Sequence, residues 1–575
     1  MMHTRKWVPP TSLEAPFLQY LIVSIDLRHR ATRSDRARMT NTKAIYFCLF
    51  VAFGGWLFGY DIGVISGCLI MPDFIDRFGQ PIGTNGAMVL TSSRQSIITS
   101  LLSAGTFVGA LAQAFTSDRF GRRGSILIWT AIFTIGVLIQ TATNRSLAQL
   151  VVGRFVAGLG VGALSAIVPL YNGEAAPKKI RGAMLVFYQL QIIMGLFLSY
   201  VIDLATHSIK GSGSWRIPVG LQLVWGVVLF VGMLLLPESP RHLLGRGRED
   251  EALKVVASLN SVPISDPLVI TTVEELKAAI RDENEGGQAT WLECFSTRNM
   301  LYKRTINGMM LQFIQQLNGQ NFYYYYGDTF FKSAGTTLSP YAIQVILGAV
   351  SVAGTVPALY LIETWGRRRN LLTGAVWQAV CALIAGLVGH YYVPVGTDLL
   401  TKSELTSKNK TGGNILITFG VLHVLGFSIF WGPTPWVYLG ESFPLRVRPK
   451  GIALGSATNW LWNFLLSFFS PRIAARIGPL ILLIFFGMLV FGFFYVWLFV
   501  PETKGLSLEE VDEMYRSRVK PWHSAAWKPS HPDVTTNEKL GVGRVPVSSG
   551  ASDAEISNHG EQKIIGGKPE FIENS

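Results

Sequence analysis

Gln312, Gln315, Gln316 and Gly319 fall at i, i+3, i+4 and i+7, so any helix that carries them shows them on one face. An amide both donates and accepts hydrogen bonds, and the stretch around these amides is otherwise apolar. Amides turned to lipid are costly. The face therefore looks into a polar cavity, or it bonds a neighbouring helix. Asn321 lies off the stripe, and Gly319 and Gly327 point to a broken helix. Beyond them, Tyr323–Tyr326 cover every side of the chain. Two ionisable groups also sit in apolar surroundings. Asp61 lies in Phe58-Gly59-Tyr60-Asp61-Ile62-Gly63, and Arg154 lies in Gly153-Arg154-Phe155. Such groups relay protons or lock each other in a structural salt bridge. A carboxylate beside an arginine stays ionised and accepts a proton once the arginine leaves.

A third set of charges repeats. Asp118-Arg119-Phe120-Gly121-Arg122-Arg123 returns as Glu363-Thr364-Trp365-Gly366-Arg367-Arg368. Glu174 and Arg181 are spaced as Glu441 and Arg448 are. Pro237-Glu238-Ser239-Pro240-Arg241 is answered by Pro501-Glu502-Thr503-Lys504-Gly505. Three motifs in the same order are the mark of parallel repeats. Arginines at helix ends neutralise carboxylates and helix C-termini, so these clusters serve as latches or simply as anchors at the membrane face.

The elements that position these residues must be membrane helices. Only 15% of the chain is charged, 49% is hydrophobic and mean hydropathy is +0.33, against about a quarter charged in soluble domains. A spanning helix needs roughly 20 apolar residues. Such stretches recur at 44–70, 97–115, 124–143, 149–171, 184–205 and 216–236, then at 306–331, 342–362, 371–393, 414–440, 451–474 and 477–500. The expected fold is an all-α membrane protein of 12 transmembrane helices in two six-helix pseudo-symmetric halves. The expected divisions are a tail at 1–43, a half at 44–236, a helical linker at 237–304, a half at 305–500 and a tail at 501–575.

The net charge of +13 suggests nucleic acid. Its arginines and lysines, however, sit in the short loops after spans 2, 4, 8 and 10, which the positive-inside rule makes cytoplasmic. Both termini and the linker then face the cytoplasm, and the charge meets anionic lipid heads. The linker includes a helix at Thr272–Glu283, and the tail at 501–575 reads as mostly disordered. The apolar patch Phe17–Ile25 is too short to span and lacks a convincing cleavage site, so residues 1–38 read as a tail, or as an extension ahead of a true start at Met39. The loop 394–413, extracellular by topology, carries a glycosylation pattern at Asn409. Cys48, Cys68, Cys294 and Cys381 show no paired spacing and read as packing residues, without a disulfide or metal site. No phosphate loop or nucleophile–base arrangement is present, and Gly158-Leu159-Gly160-Val161-Gly162 lies inside a span, where glycines allow close helix contact. No cofactor is expected.

The paired Asp-Arg-x-Gly-Arg-Arg-type loops resemble those of the major facilitator superfamily. Pro237–Arg241, Pro501–Gly505 and Gln315-Gln316-Leu317-Asn318-Gly319-Gln320-Asn321 resemble the signatures of its sugar porters, in the style of fungal monosaccharide carriers. The resemblance runs from about residue 44 to about residue 510. It implies a hexose or xylose carrier working by alternating access, either a proton symporter or a uniporter. It implies Gln189, Gln315, Gln316, Asn321 and Asn463 as sugar-binding amides and Trp436 as the stacking aromatic, with Trp460 beside Asn463. It implies Asp61 and Arg154 as the proton-coupling pair. Asp118, Arg122, Arg123, Glu174 and Arg181, with Glu363, Arg367, Arg368, Glu441 and Arg448, become cytoplasmic latches joining neighbouring helices in the outward-open state. Tyr323–Tyr326 become an outer gate; the alternative is an interfacial aromatic belt. The chain departs from the family at Ser351, where a shorter hydroxyl leaves room for water, and at Thr364, which weakens the second latch. The implied partners are a monosaccharide, protons and a lipid bilayer, with no nucleic acid. The implied state is a monomer in the plasma membrane. A nutrient sensor with the same fold needs a signalling tail, and the two-half repeat argues against an ion channel.

Overall fold

A computed structural model describes residues 42–82, 87–176, 181–285, 290–333, 338–392, 407–444, 446–506 and 508–529. Among the described residues, nine helical stretches are long and apolar enough to cross a membrane. Two of them hold two spans each. Ser92–Thr141 breaks at Gly121, whose backbone leaves the helix at φ 82° and ψ 177°, giving spans 2 and 3. Span 11, Arg448–Ile477, passes through the short turn Gly478–Leu480 into span 12, Ile481–Phe499. One further span falls outside the nine because it is polar and interrupted. Span 7 runs as Leu301–Leu317 and Gln320–Ser333, broken at Gly319 with φ 97°. The remainder are span 1 (Thr42–Cys68), span 4 (Leu147–Ala175), span 5 (Arg181–Thr206), span 6 (Gly213–Leu235), span 8 (Pro340–Trp365) and span 9 (Arg367–Tyr392). Span 10 runs from Ser407 to Gly426, through a π-helical turn at Phe427–Trp431, and on through Thr434–Glu441. The protein is therefore a bundle of twelve transmembrane helices in two halves of six.

Packing explains the sequence pattern. Gly158 and Gly162 of span 4 lie against the backbones of Leu102 and Thr106 on span 2, so a methyl group at either would collide. The glycine run serves helix contact, as its place inside a span implies. All four cysteines are buried and free. The halves meet where span 2 packs on span 11, span 5 on span 8, and span 1 on the second segment of span 7.

Several expectations need correction. Between spans 1 and 2 lie a helix, Pro72–Phe78, and a two-stranded antiparallel hairpin, Gln80–Ile82 with Ala87–Val89, that no periodicity announced. The polar loop expected over 394–413 gives way to helix at Ser407, so Asn409 sits in the first turn of span 10; residues 393–406 are outside the described residues. The linker holds Pro240–Gly245, Glu249–Asn260 and Pro267–Glu285, the last enclosing the expected Thr272–Glu283. The tail is not disordered from its start. Leu508–Arg516 is a helix, and Pro521–Ala526 is a 3-10 turn. Val511, Met514 and Tyr515, at i, i+3 and i+4, bury one face of that helix against Met300, Leu506, Val519 and Trp527. The patch Phe17–Ile25, with residues 1–41, and the tail beyond 529 are outside the described residues.

Candidate functional site

Four of the predicted sugar-binding amides, Gln315, Gln316, Asn321 and Asn463, meet two others, Gln312 and Asn459, at the broken middle of span 7. Asn459 of span 11 donates to Gln312 Oε1 at 2.7 Å and to Gln315 Oε1 at 2.9 Å, and accepts from Gln316 Nε2 at 2.7 Å. Asn463, one turn along, donates to Gln316 Oε1 at 3.1 Å, and Asn321 donates to the same oxygen. Gln315 also donates to the carbonyls of Trp431 and Gly432, at 2.9 and 2.8 Å. The π-helical turn there frees carbonyls from the regular ladder, so they can accept. The cluster reaches the other half as well. Ser103 of span 2 donates to Asn463 Oδ1 at 2.6 Å, and Trp460 meets Phe58 of span 1 edge to face with centroids 5.1 Å apart. Gln312 Nε2 and Trp460 Nε1 are buried donors with no protein partner. A buried donor without an acceptor is costly, so the site offers two open donors to a hydroxyl-bearing ligand.

The tyrosine run lies next to this cluster, on the side away from the arginine loops. All four rings are buried. Tyr325 donates to Asn463 Oδ1 at 3.1 Å and Tyr326 to Ser467 O at 2.5 Å. Tyr324 pairs with Ser351 Oγ at 3.2 Å, and its carbonyl accepts from Tyr200 of span 5, also at 3.2 Å. Rings that hold hydroxyls inside the bundle are not an interfacial belt. The room expected at Ser351 is met by the Tyr324 hydroxyl.

Not every predicted residue joins the cluster. Gln189 is half-buried on span 5, and no hydrogen bond among the described residues ties it to the amides. Trp436 packs on Cys294, Leu301, Leu439, Phe443 and Val447, on the arginine side of the amides. Asn459 was not singled out in the sequence, although it stands at i, i+4 to Asn463, the spacing that exposed the span 7 stripe.

Asp61 and Arg154 are brought together as expected. Arg154 Nη1 lies 3.2 Å from Asp61 Oδ1, and both side chains are fully buried. Arg154 Nε donates to Ile98 O at 3.2 Å, while Asp61 Oδ2 and Arg154 Nη2 have no partner.

At the arginine end, the two halves build the same cluster twice. Arg122 grips Glu174 at 2.9 and 3.2 Å, and Arg367 grips Glu441 at 2.6 and 3.0 Å. Each joins the start of one span to the end of the next within its own half. Ser239 and Thr503 donate to Glu174 and Glu441. Glu238 accepts from the backbone N–H groups of Arg122 and Arg123, and Glu502 from those of Arg367 and Arg368. Each carboxylate thus caps the N-terminus of span 3 or span 9, where the helix dipole favours negative charge. Arg123 and Arg368 reach the last carbonyls of spans 6 and 12. Glu238 and Glu502 were visible in their motifs, but not as caps.

Asp118 is exposed. Arg448 starts span 11, and the Arg181 side chain is outside the described residues. The second cluster keeps its ion pairs despite Thr364. Arg367 reaches Glu363 as well as Glu441. Arg119, at the position matching Thr364, lies over Phe120 rather than in the first cluster, so its replacement removes no ion pair. Beside the first cluster, burial and then the Arg122 guanidinium hold the His242 imidazole below its usual range, and its Nδ1 stands 3.0 Å from Arg122 Nη1.

Residues 47–515 match the family model described as sugar (and other) transporter. The chain is 40% identical over 483 residues to hexose transporter 2 of Kluyveromyces lactis, covering 84% of each chain. It is 39% identical over 482 residues to the high-affinity hexose transporter HXT6 of Saccharomyces cerevisiae, covering 84% of this chain and 83% of the relative. Among solved structures, the proton:xylose symporter XylE, a major facilitator superfamily protein crystallised with 6-bromo-6-deoxy-D-glucose, superposes with a TM-score of 0.67 at 25% identity, over 83% of this chain and all of that one.

Proposed function

Since the chain belongs to the sugar transporter family, within the major facilitator superfamily, we propose that it carries a hexose, or the related pentose xylose, across the plasma membrane by alternating access and proton symport. The observation that carries this reading is the amide cluster of spans 7 and 11. Gln312, Gln315, Gln316, Asn459 and Asn463 sit beside the seam between the halves, with Gln312 Nε2 and Trp460 Nε1 open. A sugar presents hydroxyls that donate and accept, and an apolar face. Amides satisfy the first and indole rings the second. Gln189 and Trp436 complete the site when the halves close around a ligand. The tyrosine run is the outer gate, and the two arginine clusters are the inner one. In this orientation both termini are cytoplasmic, and a monomer suffices because each chain holds both halves.

Symport draws on the Asp61–Arg154 pair. Its partnerless Asp61 Oδ2 is free to take a proton when Arg154 moves off. The solved relative named a proton:xylose symporter supports the same reading. The test is labelled hexose uptake in cells stripped of their own hexose carriers. The wild type should accumulate hexose and lose accumulation when the proton gradient is collapsed. Asp61→Asn should abolish accumulation and keep sugar exchange. Accumulation that survives both treatments would leave a uniporter, or a different coupling residue.

A further inference from the structure

At the end of the bundle opposite the arginine loops, buried acceptor oxygens from both halves meet without donors. Asp203 lies near the end of span 5, and Asp328 lies on the second segment of span 7; each is 1% exposed. Neither oxygen of Asp203 has a hydrogen-bond partner, nor does Asp328 Oδ1, nor Oε1 of the buried Gln344 on span 8. Gln344 spends its Nε2 on Ser66 Oγ at 3.2 Å and Tyr323 O at 3.1 Å. Ser66 of span 1 faces Asp328, and the two carboxylates act on each other electrostatically. The Gly67 backbone lies against Asp203, where an added Cβ would come within 2.5 Å of Oδ2.

Among the described residues, nothing neutralises this pair. From span 1 come Tyr60, which donates to Pro218 O at 3.0 Å, and Cys68. From span 5 come Tyr200, bonded to the Tyr324 carbonyl, and His207, whose Nδ1 meets Leu204 O 2.6 Å away. From span 7 come Tyr324 and Tyr325, and from span 8 comes Tyr341, whose ring lies 4.4 Å from that of His207. Arg154 on span 4 is held by Asp61. Among the described residues, no lysine, arginine or histidine bonds either carboxylate. Two like charges in a dry site without a counter-charge are not tolerated. What the four acceptors lack is a hydrogen. Among the described residues, no group of three or more histidine, cysteine or acidic side chains gathers here to hold a metal ion.

We propose that Asp203 and Asp328 form a second proton-binding site. It is distinct from Asp61, and it spans the seam at the outer gate. Spans 1 and 5 bring Asp203 from one half, and spans 7 and 8 bring Asp328 from the other. When this end closes, a proton held between the acids turns one acceptor into a donor. When the seam opens, water hydrates both carboxylates and the proton leaves. Closure of the outer gate thereby depends on external pH. The gating role rests on the transport reading above; the bound proton does not.

The test uses the full chain in lipid vesicles, comparing wild type, Asp61→Asn, Asp203→Asn, Asp328→Asn and the double variant Asp203→Asn/Asp328→Asn. Infrared difference spectra at neutral pH should show the C=O stretch of a protonated carboxyl. The band should survive Asp61→Asn and vanish in the double variant, with the thermal midpoint of each variant reporting folding. Should the double variant fail to fold, each single variant alone should shift or remove the band. Equilibrium hexose exchange by the wild type should fall roughly tenfold between about pH 5 and pH 8 as the pair loses its proton, and the double variant should be flat. A band unchanged in these variants overturns the proton site. A flat wild-type profile, or the same slope in the double variant, overturns the gating role. Exchange that follows sodium rather than pH assigns the pair to an alkali cation and overturns the proposal. If no protein exchanges sugar, wild type included, the transport reading has failed, and the infrared band still decides the proton.

Discussion

Asn459 holds the amide cluster together: it bonds Gln312, Gln315 and Gln316 at once. Each buried amide stripped of its partner costs about 1–3 kcal/mol. Asn459→Ala leaves three amides short, and they swing to bond one another. Hexose uptake should fall roughly 10- to 100-fold, mostly through KM, with the protein still reaching the membrane; unchanged uptake kinetics would remove Asn459 from the site. Asn459→Gln keeps the amide but displaces it by one methylene, and should fall between. The span 7 stripe was legible because three amides share a helical face in an apolar stretch. Asn459 was not, although Asn463 stands one turn along, because two amides in an apolar span read equally as glue between helices. Its three bonds come from residues more than 140 positions away, and no local spacing encodes that. The Asp61–Arg154 pair was legible for the opposite reason: a buried charge needs a partner, and these two were the ionisable groups standing inside spans 1 and 4.

The elements that turn at the arginine end share one device. A glycine at positive φ ends one helix, and a carboxylate from the end of another caps the next. Gly366 has φ 90°, and a Cβ there would meet Glu502 Oε2 at 2.5 Å; Gly121 stands in the same relation to Glu238. Gly366→Ala should lower stability by roughly 1–3 kcal/mol, from left-handed strain plus a displaced cap, seen as a lower thermal midpoint of the detergent-purified protein. Glu502→Gln keeps one acceptor oxygen and should cost less. If Gly366→Ala melts with the wild type, the cap is not holding the turn. His242 makes a pH prediction. Burial and Arg122 keep its imidazole below the usual range, so the neutral ring is the form the fold prefers. That preference contributes fully above about pH 6.5 and fades as the pH drops through and below it. The thermal midpoint should therefore drop on acidification more in wild type than in His242→Gln, and equal drops would count against the contact. The repeats made both clusters legible. The caps were not, because they require the ends of spans 6 and 12 to lie beside the starts of spans 3 and 9, which is a fact of packing.

At the scale of the molecule, the pseudo-symmetry is broken by the tail. Its helix, Leu508–Arg516, docks on the second half. Arg304 of span 7 is fully buried and reaches Asp512 at 2.7 Å, with its guanidinium 4.4 Å over the Tyr515 ring. Tyr515 in turn pairs with Tyr438 of span 10 at 2.8 Å, and Ser524 accepts from the backbone of Glu502 at 2.8 Å. The tail therefore clamps spans 7 and 10 to the carboxylate that caps span 9. Composition concealed this, because a helix of nine residues with four apolar positions is lost in a polar tail, whereas eleven long apolar spans are not. Arg304 carries the cost if the clamp is lost. Removing one partner of a buried pair costs about 3–5 kcal/mol. Asp512 is 13% exposed and Arg304 keeps Tyr515 and the Ser442 carbonyl, so Asp512→Ala should cost nearer 1–3 kcal/mol. Truncation after Gly505 removes aspartate and tyrosine together and should cost more than the point variant. Arg304→Met in the truncated chain should recover most of the loss, because a thioether needs no counter-charge. Thermal midpoints of the three proteins decide it. Recovery by Arg304→Met means the tail is needed to neutralise one buried arginine, and its failure means the helix contributes chiefly through the apolar face of Val511, Met514 and Tyr515.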